Sequence, residues 1–285
     1  MNAVVPLVKL IEDRAGDLSP AQRALARHVA GNYQAVAFST VADLARAVGV
    51  SEATVVRFAN ALGFSGYPAL QQEVRRMVRA DLKGTDRLSR AAPPSTADGG
   101  ALARVMRKEM ENIARLPEMQ DGAALAEAAG VLRGARRVLV VGARATAPLA
   151  FHLWFALDKL GLDVSRSLTA DTEATDRLGR MDHRDAVVVI GFPRYLRALV
   201  AVLDFARRRG VRRVVVTDSP FSDLKGEIGL HVAAESASFV AFHAAPLILL
   251  NALIEEVAAA DRAGALRALQ DFEAVAEEHA YFQRS

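Results

Sequence analysis

One short segment, residues 41–58, constrains the fold of this chain more than any other. It places a small residue, Ala45, four positions before a glycine, Gly49, among regularly spaced apolar residues. Two short helices that cross steeply around a tight turn need a small residue at their contact and a glycine that can adopt a positive φ. The apolar positions that such a pair buries are filled by Leu44, Val48, Val50, Val55 and Phe58. The segment therefore predicts a helix-turn-helix.

Hydroxyl residues indicate where both helices of this motif begin. Thr40, with Asp43 three residues later, is expected to cap the first helix, and Ser51 is expected to cap the second. In proteins that use this motif, the N-terminal residues of the second helix enter the DNA major groove. The predicted DNA-contacting residues are accordingly Thr40, Ser51, Glu52, Ala53, Thr54, Arg57 and Tyr67. Arg57 could contact either a base or a phosphate. The alternative for the whole motif is a helical hairpin used only for packing or dimerisation.

The positive charge of the chain is concentrated around this motif. Residues 1–90 contain 12 Lys or Arg and 8 Asp or Glu, whereas residues 91–285 contain 24 and 25. A basic unit ahead of a nearly neutral one favours a polyanion as the partner of the first unit. The sequence contains no cysteine, which excludes disulfides and thiolate metal sites. We expect neither a metal nor a cofactor.

A polar stretch, residues 84–100, is expected to link two domains at 1–83 and 101–285. Its only large apolar residue is Leu88, and it contains Pro-Pro and Gly-Gly pairs. A segment of that composition cannot bury an apolar face, which is typical of an interdomain linker.

The first domain is predicted to be all helical. One helix is expected to begin at Ser19, with Gln22 completing a capping box. Another is expected over about 67–82, with Leu70, Val74, Met77 and Val78 facing inward and Arg75, Arg76 and Arg79 facing outward.

The motif continues into a more specific pattern. Its second helix reads Ser-x-x-Thr-x-x-Arg-Phe from Ser51 and runs into Leu-Gly-Phe-x-Gly-Tyr-x-x-Leu at residues 62–70. These residues resemble the N-terminal domain of the RpiR/MurR family of bacterial transcriptional regulators. The resemblance implies a dimeric DNA-binding protein whose C-terminal SIS (sugar isomerase-like) domain senses a sugar phosphate or a related metabolite.

After one helix at about 101–116, short β-branched runs alternate with amphipathic helices. The predicted strands are residues 137–141, 163–167, 186–190, 213–217 and 230–233, and the helices between them include 148–160 and 196–209. Runs that are apolar throughout are typical of strands buried on both faces. The second domain is thus predicted to be a doubly wound, parallel five-stranded α/β domain. The family resemblance implies that this domain is of the SIS type. Two helices, at about 239–259 and 263–282, are expected to end it and to offer dimer surfaces or cover for the sheet.

Parallel sheets bind ligands beyond the carboxyl ends of their strands, often at helix N-termini. The predicted ligand-binding residues come from four such loops: Gly142, Arg144, Thr146, Arg194, Tyr195, Ser219 and Glu235. Arg144 and Arg194 occupy two loop tips, and a guanidinium can bind a carboxylate or phosphate through two parallel hydrogen bonds. Plain strand-to-helix turns with solvated arginines are the alternative.

One loop departs from the pattern of sugar-phosphate SIS domains. There the loop after the third strand resembles Ser-x-Ser-Gly-x-Thr, whose hydroxyls hold the phosphate. In this chain the three hydroxyl positions fall at Gly191, Pro193 and Leu196. The departure favours arginines as the groups that would hold a sugar phosphate, a sugar acid or another small anion.

Together these features predict a cytoplasmic, non-enzymatic transcriptional regulator, and the family resemblance implies a repressor of a carbohydrate or related catabolic operon. It would bind a double-stranded operator as a homodimer or homotetramer and respond to a small anionic metabolite. Residues 1–6 lack the features of a signal peptide, and no apolar stretch is long enough to cross a bilayer, so we expect no membrane partner. A phosphosugar isomerase or epimerase, with Glu235 or His243 as its base, is the alternative. A module that binds a protein partner is a third possibility.

Overall fold

The computed structural model of the protein describes residues 10–11, 14–81, 85, 88–89, 99–120, 122–236 and 243–283. Contacts divide the chain into two compact units, Met1–Arg87 and Leu88–Ser285. Most of the predicted linker and the start of the helix predicted from 239 lie outside the described residues. Within the described ranges, no helix combines the length and the hydrophobicity that crossing a membrane requires.

The first unit is helical where it is described, as the sequence predicts. Its helices include α1 (Pro20–Val36), α2 (Val41–Val48), α3 (Glu52–Ala61) and α4 (Tyr67–Asp81). Ser19 and Gln22 form the predicted capping box at the start of α1. The buried core includes Leu25, Val29, Leu44, Val55, Phe58, Leu70, Val74 and Met77. Burial of one large apolar side chain stabilises a fold by about 1.5–3 kcal/mol, so packing outweighs helix propensity in helices this short.

The helices α2 and α3 form the predicted helix-turn-helix. Thr40 Oγ1 accepts a hydrogen bond from the Asp43 N–H at 3.1 Å, and the Asp43 carboxylate accepts one from the Thr40 N–H at 3.1 Å, which confirms the first cap. The Thr40 hydroxyl also donates to the Asp43 carboxylate at 2.6 Å, and this bond, together with the one from the Thr40 N–H, holds the pKa of Asp43 below its ordinary value. Gly49 ends α2 with a φ of 73°, the left-handed conformation predicted for the turn. Ser51 caps α3 by accepting from the Thr54 N–H at 3.2 Å.

Helix α4 departs from its predicted pattern at one position. Arg75 is exposed, as expected, but the side chain of Arg76 is only 13% exposed. Its guanidinium donates to both oxygens of the Glu73 carboxylate, from Nη2 to Oε1 at 2.6 Å and from Nε to Oε2 at 2.9 Å. Arg76 therefore neutralises a nearly buried carboxylate and does not face solvent, because a buried charge requires a partner. The side chain of Arg79 lies outside the described residues.

The second unit is built on a five-stranded parallel sheet, which confirms the predicted fold class. Its strands are β1 (Val138–Gly142), β2 (Val164–Ser167), β3 (Ala186–Ile190), β4 (Arg212–Thr217) and β5 (Ile228–His231), in the order β2-β1-β3-β4-β5. Every neighbouring pair is parallel. Val138 and Val140 pack into one apolar core, whereas Leu139 and Val141 pack into the other, so both faces of the sheet are covered. Strand β5 begins and ends two residues before its predicted range.

The helices of the second unit include two that the sequence pattern did not indicate. They are α5 (Gly100–Ala114), α6 (Leu116–Met119), α7 (Gly122–Gly134), α8 (Ala147–Lys159), α9 (Thr172–Gly179), α10 (Arg197–Arg208), α11 (Ala244–Ala260) and α12 (Arg262–Glu278). The bounds of α8 and α10 differ from the predicted ones by one residue. The unpredicted helices are α6, which is only four residues long, and α7, which is rich in alanine and glycine and packs against α11.

Candidate functional site

The N-terminal half of α3 carries a connected series of polar side chains. Ser51 Oγ and Thr54 Oγ1 lie 2.8 Å apart, and Arg57 Nη2 donates to Thr54 Oγ1 at 3.1 Å. Ser51 and Arg57 are exposed, as is Thr40 at the start of α2. These contacts hold the guanidinium along one side of the helix, where it can meet a phosphate or a base edge.

The exposed residues of α3 form a single face. Glu52, Ala53, Val56, Arg57 and Asn60 are exposed, and their spacings of one, three and four residues place them side by side on the helix. Three of them belong to the predicted DNA-contacting set. Val56 and Asn60 were missed, although continuing the helical period from Glu52 and Ala53 identifies both.

Tyr67 lies inside the first unit and not on this face. It is 5% exposed, and its hydroxyl donates to the Ser39 carbonyl at 2.7 Å. Two other side chains of α4 act in the same way, since Gln71 donates to the Ser39 carbonyl at 2.5 Å and Arg75 to the Ala37 carbonyl at 2.6 Å. Tyr67 therefore helps hold the loop that precedes α2. This placement corrects the prediction that Tyr67 contacts DNA.

The carboxyl ends of β1 and β3 form the topological switch point of the sheet. The chain leaves β1 toward β2 on one side, while β3 lies on the other, so the loops that follow β1 and β3 diverge. Arg144 lies in the first loop and Arg194 in the second, and both are exposed. Their φ angles are 56° and 70°, in the left-handed region that side-chain-bearing residues rarely adopt. Such strained residues cluster at functional sites.

Gly142 and Thr146 build the loop that carries Arg144. A Cβ on Gly142 would lie 2.7 Å from Thr146 O and 2.8 Å from Ala150 Cβ, so only glycine lets the turn approach β1 this closely. The buried Thr146 hydroxyl accepts a backbone N–H of its own loop at 3.1 Å and lies 2.9 Å from the carbonyl oxygen of Ile190 in β3. Both its donor and its acceptor functions are used within the fold. This arrangement corrects the prediction that the Thr146 hydroxyl binds the ligand.

The loop after β3 is closely packed at Gly191, the first of its three altered hydroxyl positions. A Cβ on Gly191 would lie 2.5 Å from Leu224 Cδ1, so Leu224 fills the space that a serine side chain would need. Further along the loop, the Tyr195 hydroxyl donates to the Asp218 carboxylate. This hydrogen bond connects the segment that carries Arg194 to the loop after β4.

The remaining predicted ligand residues lie farther along the sheet. Ser219 is buried, and its Oγ accepts from the Phe221 N–H at 3.1 Å, as in a tight turn. Glu235 follows β5, which lies two strands beyond β3, or about 10 Å at the usual strand spacing. Its carboxylate accepts from Lys108 at 2.9 Å and from Arg115 at 2.8 Å. Glu235 thus fastens the segment after β5 to the α5 region and does not join the two arginines.

Two family models match the chain, one in each unit. Residues 5–80 match the model described as the helix-turn-helix domain of the rpiR family, and residues 131–256 match the SIS domain. Among curated proteins, the HTH-type transcriptional regulator HexR from Pseudomonas aeruginosa is 26% identical over 205 residues. The matched region covers 72% of this chain and 70% of HexR.

Solved structures share the same architecture. The sugar isomerase domain of an RpiR transcription factor from Sphaerobacter thermophilus matches with a TM-score of 0.59 and 24% identity, over 61% of this chain and 98% of that one. Vibrio vulnificus NanR, in complex with ManNAc-6P, matches with a TM-score of 0.59 and 19% identity, over 97% and 98% of the two chains. With its two family matches in succession, the chain belongs to the RpiR family of helix-turn-helix transcriptional regulators and has a SIS domain as its second unit.

Proposed function

We propose that this regulator represses a carbohydrate or related catabolic operon and releases its operator when a small anionic metabolite binds the SIS domain. The observation that carries this proposal is the pair of exposed arginines, Arg144 and Arg194, on diverging loops at the switch point. Each guanidinium can bind a phosphate or carboxylate through two hydrogen bonds. The NanR complex with ManNAc-6P supports a sugar phosphate as such a ligand, and a sugar acid has the same chemistry.

The DNA-binding part of the proposal rests on the exposed face of the helix-turn-helix. We assign operator contacts to Thr40, Ser51, Glu52, Ala53, Thr54 and Arg57, and the net positive charge of residues 1–90 supports a polyanionic partner. The protein would act in the cytoplasm, where the chromosome lies. Its function requires no turnover, and an assay with sugar phosphates that detected isomerisation would contradict a purely regulatory role.

The second unit also exposes large apolar side chains that support self-association. Phe151 and Phe155 lie on α8, and Leu266 and Leu269 lie on α12. Exposed apolar clusters commonly mark protein interfaces. We therefore propose a homodimer or homotetramer, which would read a palindromic operator with two copies of α3.

Regulation by the metabolite requires unequal binding to two arrangements of the protein. A ligand shifts an equilibrium only by the difference between its affinities for the two states. A tenfold loss of operator affinity thus requires the anion to bind the DNA-free arrangement more tightly by about 1.4 kcal/mol.

The test begins with genomic fragments selected by the purified full-length protein and identified by sequencing. Sugar phosphates and sugar acids are then titrated against the selected duplex, with binding followed by fluorescence anisotropy. We expect the double variant Arg144→Ala/Arg194→Ala to bind the duplex normally and to lose its response to the anion. The matched control is Arg207→Ala, which removes an exposed arginine from the opposite end of α10. An unchanged response in the double variant would refute the assigned site, and the absence of any enriched fragment would refute the regulatory function.

A further inference from the structure

We propose that Val56 contacts the 5-methyl group of a thymine in the operator, so that this regulator recognises part of its site through an apolar contact. The inference rests on the proposed DNA-binding function and specifies which chemical group one residue recognises. Val56 is 40% exposed, whereas its neighbours Val55 and Phe58 are buried in the core. A large apolar side chain therefore stands on the face that α3 offers to DNA.

The position of Val56 on the helix places it within reach of base edges. Glu52, Val56 and Asn60 are four residues apart and form one row along α3, and Ala53 lies beside that row. In a helix-turn-helix, the second helix enters the major groove, where the thymine methyl is the distinctive apolar group on a base edge. Ala53 and Val56 form a small apolar patch that matches such a group in size and chemistry.

The contacts of Arg57 leave this patch uncovered on one side. Arg57 donates to Thr54, which lies on the side of α3 away from Val56, because residues 54 and 56 are separated by about 200° around a helix. The long arginine side chain is thereby drawn toward Ser51 and Thr54 and away from the apolar patch. Val56 is β-branched, so little side-chain freedom is lost when it docks against a methyl group.

Charge favours DNA over a protein partner as the occupant of this face. Residues 1–90 carry four more basic than acidic side chains, and the base-contacting region of α3 begins with the exposed N-terminus of a helix. A helix N-terminus and excess positive charge both attract phosphate groups. The apolar patch would then add sequence preference to a general attraction for the DNA backbone.

The test uses the full-length protein and the duplex that it binds most tightly from a random-sequence library. Each thymine of that duplex is replaced singly by deoxyuridine, which removes the methyl group and keeps the base pair. We expect one or two positions at which the wild-type protein binds about fourfold more weakly, the size expected for one buried methyl group. At one of these positions, Val56→Ala should bind the thymine and uracil duplexes equally.

A matched control separates this effect from a general loss of apolar surface. Val275→Ala makes the same change at a valine of similar exposure, 45%, on α12, and should keep the full preference for thymine. The inference would be overturned if the wild-type protein bound every uracil duplex with the same affinity as the thymine parent. It would also be overturned if Val56→Ala kept the wild-type preference for thymine over uracil at every position. Both results would leave the DNA-binding function standing, whereas a failure to enrich any duplex would refute that function and this inference together.

Discussion

Replacing Tyr67 by phenylalanine separates a structural role from a DNA-binding role at a single hydroxyl. Burial raises the pKa of Tyr67, so its hydroxyl stays protonated and donates to the Ser39 carbonyl at 2.7 Å. Removal of a buried hydrogen bond typically costs about 1 kcal/mol. The Ser39 carbonyl keeps its second donor, Gln71, so the acceptor is not left without a partner and the cost should not exceed this value.

A loss of about 1 kcal/mol in a unit of this size lowers its melting temperature by roughly 4–8 °C. The chain contains one tryptophan, Trp154, and it lies in the second unit. Tryptophan fluorescence therefore follows the unfolding of the second unit, while far-UV circular dichroism follows both units. We expect Tyr67→Phe to shift the dichroism transition of the first unit and to leave the fluorescence transition unchanged.

Operator binding by the same variant decides between the two roles. If Tyr67 acts only within the fold, affinity below the melting transition should stay at the wild-type value. Tyr281→Phe makes the same change at an exposed tyrosine and should alter neither stability nor binding. If Tyr67 contacted a phosphate, affinity would fall, while the slope of log K against log salt would stay the same because a neutral hydroxyl releases no counterion. That result, without a change in stability, would refute the structural assignment.

Three further perturbations test other parts of the molecule. Arg194→Gly should relieve the strain of the left-handed backbone conformation and stabilise the second unit by up to about 1 kcal/mol, as measured by tryptophan fluorescence. The same variant should lose its response to the anion. A loss of stability would contradict the presence of backbone strain at this residue. Burial lowers the pKa of His231 and His243 below the ordinary value of 6.5. The unfolded chain then binds more protons than the folded one, so the fluorescence melting temperature should fall as the pH drops below 6.5, and a constant value would contradict this. Arg57→Gln should weaken operator binding. A slope of log K against log salt that is smaller by about 0.9 would identify a phosphate contact, and a relaxed preference at one base pair would identify a base contact. Unchanged affinity would show that Arg57 makes neither contact.

The features predicted correctly are those determined by residues close together in the sequence. The caps at Thr40 and Ser51 and the turn at Gly49 depend on partners within three residues or on the backbone of one residue. Strands that are apolar throughout likewise identified the parallel sheet, because burial on both faces leaves its pattern within each strand. Helix α7 was missed because small residues such as Ala128 and Ala129 are buried in it without giving a clear amphipathic pattern.

The predictions that needed correction involve polar groups whose partners are distant in the sequence. The hydroxyl of Tyr67 meets a carbonyl 28 positions away, and that of Thr146 meets one 44 positions away. The Glu235 carboxylate meets Lys108, which lies 127 positions away. In a sequence, a hydroxyl or carboxylate that can bind a ligand looks the same as one whose hydrogen bonds are made within the fold. Only the tertiary structure distinguishes them.

The Thr146 hydroxyl has a consequence for how this sheet edge can change during evolution. Since it joins the loop after β1 to the end of β3, its loss would release two loops at once. The exposed side chains at positions 144 and 194 take no part in that joint. If these two arginines bind the proposed anion, mutations there would alter which anion is recognised, one side chain at a time, while the framework that presents them is inherited intact. Preference at the proposed anion site would thus diverge among descendants of this protein faster than the fold that supports it.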